Sequence, residues 1–178
     1  MNDGRLAFPF SCQVLQFFSD YHGDEVVFDE SDPDLFAIKT YSEVAPTRLI
    51  RLSRPAALPP PKYTTIVFQV EQCLPDDDEL DSISPATQTL CEALARSAGG
   101  DADWRDVYDA AVTELVGEPD LGSWVGGYAQ WLQGAWPKGE FFLEFDSVEP
   151  FMWGDSGLLY FFYSAEQAMP FSFELQCC

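Results

Sequence analysis

The stretch GLLYFFYS, residues 157–164, constrains the fold more than any other part of the chain. A strand sends successive side chains to opposite faces, so one that is apolar on both faces is stable only where both sides are covered. Its neighbours follow the commoner one-sided rule. EFFLEFD at 140–146 alternates and puts Phe141, Leu143 and Phe145 on one face. FSFELQC at 171–177 sets Phe171, Phe173, Leu175 and Cys177 against Ser172, Glu174 and Gln176. The end of the chain is therefore predicted to be sheet, with 157–164 buried on both sides.

Strands are also expected early. CQVLQFF at 12–18 is short, apolar and rich in β-favouring residues, and LFAIKTY at 35–41 and TRLIRLS at 47–53 read as partly exposed strands. Four prolines in RPAALPPPKY, 54–63, exclude regular structure there and predict a stiff connector or edge segment. TTIVFQVEQC at 64–73 alternates, with Ile66, Phe68 and Val70 opposite Val67, Gln69 and Glu71.

The middle of the chain has helical period. Ser84 is a capping residue and Pro85 suits a first turn. Thr87, Leu90, Cys91, Leu94, Ala95 and Ala98 then share a face until Gly99 and Gly100 stop the run. A second helix opens at Asp103, with Asp106 three residues on. Its apolar face is Trp104, Val107, Tyr108, Ala111, Val112, Leu115 and Val116, and Gly117 and Pro119 end it. Strands, two central helices and strands again predict an α+β, sheet-rich single domain over 1–178. Two strand units recur, CQVLQFFSD with SGLLYFFYS and TIVFQVEQCLP with EFFLEFDSVEP, which suggests an internal duplication.

Composition sets the class. With 178 residues, 47% hydrophobic and 15% aromatic, the chain can form a dense core. No apolar run approaches the ~18 residues a membrane span needs. The start, MNDGRLAFPFSC, has neither a basic region nor a long apolar one, so no signal peptide is expected and the location is read as cytoplasmic. The cysteines at 12, 73, 91, 177 and 178 form no CxxC pair and are read as reduced thiols.

Thirty acids against nine bases give a formal charge of -21. That argues against direct binding of nucleic acid or anionic lipid, both polyanions. Acids gather at 20–34, without a Lys or Arg, and at 76–81, while the bases concentrate between Arg48 and Lys62. Such asymmetry favours a basic partner, and it also serves simply to keep an aromatic-rich chain in solution.

Gly154-Asp155-Ser156-Gly157 spells the run around the nucleophile of trypsin-like serine proteases. A serine nucleophile needs a base in hydrogen-bond reach and a group to orient that base. The one histidine, His22, lies among acids, and the run continues into Leu158-Leu159 rather than Gly-Pro. The expectation is a tight turn into the buried strand, with Ser156 structural. His22 lacks metal-ligand spacing, residues 29–34 and 76–79 lack the order of a calcium loop, and no phosphate loop or dinucleotide fingerprint is present. No catalytic, cofactor or metal site is assigned. Trp124, Trp131 and Trp136 are read as core or turn packing in preference to a ligand cage.

A resemblance rests on three pieces: Gly126-Gly127-Tyr128-x-x-Trp131-x-Gln133; a strand ending near Phe145-Asp146; and Met152-Trp153-Gly154-Asp155-Ser156-Gly157-x-Leu159-Tyr160-Phe161-Phe162. With Leu15-Gln16-Phe17-Phe18 and the acids from Asp20, the chain resembles the YwqG-like family of bacterial domains over most of its length. It looks like a shortened member, because a longer leading region with its own helix and a G-G-x-P turn is missing. The resemblance implies an α+β, sheet-rich fold. It fixes no activity, although some members sit beside toxins of interbacterial competition and look like their immunity proteins.

The leading expectation is therefore a non-enzymatic, cytoplasmic immunity protein for a basic nuclease toxin delivered by type VI secretion. Occlusion would be steric and electrostatic. The candidate partner-binding residues are Asp20, Asp24, Glu25, Asp29, Glu30, Asp32 and Asp34, with Asp76, Asp77, Asp78, Glu79 and Asp81. The rival reading is a small-molecule-binding or sensor domain with a pocket walled by Trp and Phe.

Overall fold

A computed structural model describes residues 8–19, 21–22, 25–26, 36–43, 67, 69–79, 84–99, 102–117, 122–134, 137–148 and 152–177. In chain order the elements are β1 (Val14–Ser19), β2 (Tyr21–His22), β3 (Glu25–Val26), β4 (Phe36–Tyr41), α1 (Pro85–Ala98), α2 (Trp104–Val116), β5 (Trp124–Val125), β6 (Glu140–Asp146), β7 (Leu158–Tyr163) and β8 (Phe171–Gln176). The fold is a small α+β domain. Antiparallel β1–β4 and β2–β3 pairs accompany a four-stranded antiparallel sheet in the order β5-β6-β7-β8.

The two-sided strand lies inside the larger sheet, as its composition requires. Leu158, Leu159, Tyr160, Phe161 and Phe162 of β7 are all buried. Leu159 and Phe161 belong to one core with Phe142, Leu143 and Phe173, over which Phe17 of β1 and Phe36 and Ile38 of β4 pack. Phe17 meets Phe161 edge-on at 5.0 Å and Phe36 meets Phe173 at 4.7 Å, the T-shaped geometry that ring quadrupoles favour. Leu158, Tyr160 and Phe162 face the other way. They are covered by Ala129, Trp131 and Leu132 of an irregular strap that follows β5.

Strand β6 departs from simple alternation. Its register with β7 shifts between Phe141 and Leu143, so Phe142 is the extra residue of a bulge. Phe142 and Leu143 both enter the first core, and Phe145 packs against it. Phe141 instead packs with the Phe162 cluster on the opposite side. The expected common face of Phe141, Leu143 and Phe145 is thus broken. Glu144 keeps the face that alternation gives it, opposite Leu143 and Phe145, and so stands opposite Tyr160 on the strap side of the sheet.

Both helices form where their punctuation placed them. Pro85 occupies the first turn of α1 and Gly99 its C-cap. The Ser84 hydroxyl pairs with that of Thr87 at 2.9 Å and makes no hydrogen bond to a cap N–H. Asp103 caps α2 by accepting from the Arg105 N–H at 3.1 Å. Only a narrow seam of the expected faces is buried: Cys91 and Ala95 from α1, Tyr108 from α2, with Trp104, Val107 and Val112 at its margin. Leu90, Leu94 and Leu115, assigned to the same faces, are exposed. Small residues at the seam let the helices meet there, and the leucines flank it.

The strand expected at 64–73 does not form in its described part. Residues 67 and 69–73 are irregular, and Val67 and Val70 are 78% and 72% exposed. Alternation supplies a face, but a strand also needs a pairing edge, and no described strand pairs with this segment. The second repeat therefore matches a strand at 140–146 with irregular chain at 69–75. The segments expected at 47–53 and 54–63 lie outside the described residues.

Candidate functional site

Two polar assemblies meet around residues 73–79. The first is an acidic turn. Asp78 N–H donates to Asp76 Oδ1 at 3.0 Å and Glu79 N–H to the Asp76 carbonyl at 3.0 Å, folding the three aspartates into one tight turn. Oxygens of Asp76, Asp77 and Asp78 lie within 4.8 Å of one another. Burial is the main cause that pushes Asp76 up to about 6, with Asp77 and Asp78 adding charge repulsion against the hydrogen bond from Asp78 N–H.

Helix α2 brings further acids to this turn. Arg105 reaches Asp77 at 3.1 Å and lies over the Trp104 ring at 4.7 Å. The Tyr108 hydroxyl donates to the Pro75 carbonyl at 2.7 Å, which fixes the turn against the helix. Burial, and then the charges of Asp77 and Asp106, raise the pKa of Asp109. Asp76, Asp77, Asp78, Asp106 and Asp109 thus form one patch. Among the described residues, Arg105 is the cation ion-paired with it. Three oxygen ligands could in principle meet a hard cation, yet Asp77 already has the Arg105 guanidinium.

The candidate residues are distributed unevenly. Asp76, Asp77 and Asp78 come together as expected, joined by Asp106 and Asp109, which were not in the candidate set. Their signal was available: three-residue spacing on the polar side of an amphipathic helix. Glu79 plays a different part. Its Oε1 accepts from Trp131 Nε1 at 2.7 Å, and burial raises its pKa against that bond. Glu25 lies in β3 paired with His22. Asp20, Asp24, Asp29, Glu30, Asp32, Asp34 and Asp81 lie outside the described residues.

The second assembly lies beneath the strap. Three buried polar side chains, one from each of β6, β7 and β8, hold residues 130–134 to the sheet. Gln130 N–H donates to Glu144 Oε2 at 3.0 Å. The Tyr160 hydroxyl donates to the Gln130 carbonyl at 2.8 Å and accepts from Leu132 N–H at 3.1 Å. Gln176 Oε1 accepts from the N–H groups of Leu132 and Gln133 at 3.1 and 2.9 Å, while its amide donates to the Gly134 carbonyl at 3.0 Å. Gln133 donates back to the Cys177 carbonyl. Side chains from the sheet thus replace the strand partner that an irregular backbone lacks.

Glu144 is 0% exposed, and burial pushes it up to about 8, opposed by the Gln130 bond and reinforced by Asp146. Trp131 stacks on Tyr160 at 4.8 Å and on Phe162 at 6.0 Å, so this tryptophan is core packing, as expected. Through Glu79 it ties the strap to the acidic turn. Trp136 lies outside the described residues.

The Gly-Asp-Ser-Gly run forms the expected turn. Gly154 and Ser156 have φ of 59° and 55°, and Gly157 N–H donates to the Trp153 carbonyl at 2.7 Å. The Ser147 hydroxyl closes the turn, donating to the Gly157 carbonyl at 2.8 Å and accepting from Trp153 N–H at 2.9 Å. A side chain at 157 would lie 2.5 Å from the Gln176 carbonyl, so the second glycine meets the need for close backbone approach.

Comparison with protein-family models, with curated proteins and with solved structures gave no match.

Proposed function

We propose that the protein is a non-enzymatic immunity protein: it binds a basic interbacterial nuclease toxin in the bacterial cytoplasm and neutralises it by steric and electrostatic occlusion. The observation that carries this reading is the convergence of Asp76, Asp77 and Asp78 with Asp106 and Asp109 on a chain of net charge -21. Mutual repulsion within such a patch is relieved when a partner supplies cations. The same field speeds encounter with a basic surface and rejects polyanions. The turn is held to α2 by Tyr108 and to the strap by Glu79, so its carboxylates are presented on ordered backbone. The resemblance to YwqG-like domains supports the immunity role over other uses of an acidic surface.

The test is capture of partners from the lysate of the source organism, washed at low and then high salt. A basic nuclease held at low salt and partly released at high salt is the expected result. Asp78→Asn, Asp106→Asn and Asp109→Asn together should weaken binding about tenfold and flatten its salt dependence. Unchanged affinity in that variant would remove the patch from the interface. Recovery of no protein partner would overturn the immunity reading itself.

A further inference from the structure

Nearly every buried polar group under the strap is accounted for. Tyr160 both donates and accepts, all three hydrogen-bonding positions used by Gln176 are filled by strap backbone, and Glu144 Oε2 holds Gln130. Two buried side-chain atoms among the described residues have no partner: Trp124 Nε1 and Glu144 Oε1. They are not scattered. Trp124 of β5 and Glu144 of β6 are directly opposite each other in the ladder, and cross-strand partners project from the same face of a sheet. A donor and a carboxyl oxygen, both unsatisfied and both buried, therefore belong to neighbouring side chains. Buried polar atoms are satisfied in native proteins by protein or by ordered water, so a coincident pair of exceptions points to a ligand between them.

We propose that Trp124 Nε1 and Glu144 Oε1 form a binding site for one buried water molecule that bridges β5 to β6 beneath the strap.

The chemistry selects water over other occupants. An indole N–H only donates, so the occupant must accept. A metal ion or ammonium presents no acceptor to it. An anion would face Glu144, with Asp146 on the same strand adding repulsion. Complete burial of Glu144 excludes anything large. The carboxyl itself imposes the last condition. Its Oε2 already accepts from Gln130 N–H, so a proton on Glu144 sits on Oε1. At neutral pH the raised pKa makes that acid form prevalent, and Oε1–H then needs an acceptor that the indole N–H cannot supply. A direct bond from the indole to Oε1 would leave that O–H unsatisfied. A water oxygen accepts from both, and when the acid ionises the same water turns and donates to Oε1. Water alone serves both protonation states without moving the strap.

The groups facing this position are identified element by element. Glu144 and Asp146 come from β6, and Tyr160 from β7. Asp76 acts on Tyr160 from the acidic turn. None of these is a cation, so none of them competes as a charged donor for Oε1.

The test is solution NMR on the wild-type chain labelled at its indole nitrogens, with the Trp124 signal assigned through Trp124→Phe or, if that variant fails to fold, by sequential assignment. The expected result is a dipolar cross-peak between Trp124 Hε1 and water, of the sign that marks a long-lived contact. Oxygen-17 relaxation dispersion should count one long-lived water fewer in Trp124→Phe. A crystal structure should show a density peak within hydrogen-bond distance of both atoms. An indole proton with no water cross-peak, shifting downfield as Glu144 ionises, would show a direct Trp124–Glu144 bond and overturn the proposal. A co-purifying larger molecule at the position, seen by native mass spectrometry, would overturn it as well.

Discussion

Glu144 makes the folded protein sensitive to alkali. The unfolded chain releases this proton near the ordinary value of 4.5, whereas the folded chain holds it to about 8. Between those values the unfolded state binds fewer protons, so stability falls as pH rises through the window. Below it both states are protonated and the contribution is flat; above it both are ionised and the full penalty is present. One pKa unit corresponds to about 1.4 kcal/mol, so the decline between pH 5 and pH 9 is on the order of 4 kcal/mol. Glu144→Gln isolates this term. Glutamine keeps an acceptor for Gln130 N–H and places an uncharged donor where the protonated acid has its O–H. The two proteins should show similar urea midpoints at pH 5. The variant should become the more stable one by several kcal/mol at pH 9. Asp76, Asp109 and Glu79 also have raised pKa values and slope the same way, but they cancel in the difference. Stability profiles that stay parallel from pH 5 to 9 would show that Glu144 ionises alike in both states, and would refute the reasoning.

Three further perturbations read the packing. Phe161→Ala empties the centre of the first core, where the ring meets Phe17, Phe142 and Phe145, and should lower stability by about 3–5 kcal/mol in denaturant titration. Gly157→Ala sets a methyl group 2.5 Å from the Gln176 carbonyl and 2.6 Å from that of Trp153; it should destabilise by about 3 kcal/mol, and a thermal midpoint equal to wild type would contradict the close approach. Trp131→Phe keeps a ring over Tyr160 and Phe162 but removes the donor to Glu79, so a loss of about 1.5–3 kcal/mol is expected, while Glu79→Gln, which retains an acceptor, should lose less.

Much of this architecture was legible because it follows from local rules. Helix ends were readable from Pro85, Gly99, Asp103 and Gly117, whose backbone preferences act within a turn. The turn at 154–157 was readable from two glycines ahead of an apolar run. The acidic patch was half legible: adjacency in sequence disclosed residues 76–78, but the docking of α2 through Tyr108 and Arg105 added Asp106 and Asp109. The pattern at 64–73 misled because alternation does not supply a partner strand.

What the sequence determined by itself was the class of the fold and the two-sided burial of 158–162, since a run with no polar face has no stable position at a surface. Tertiary structure alone decided what covers each side: a β1–β4 pair on one, an irregular strap on the other. The strap also decided the fate of Glu144. Alternation sets this acid on the face opposite Leu143 and Phe145, and there it stays, while the bulge at Phe142 brings Phe141 over to the same side. On a one-sided sheet that face would be solvated; beneath the strap the acid is buried, opposite Trp124 and Tyr160. Its raised pKa and its bond to Gln130 follow from that cover, and neither is written in the residues 140–146 alone.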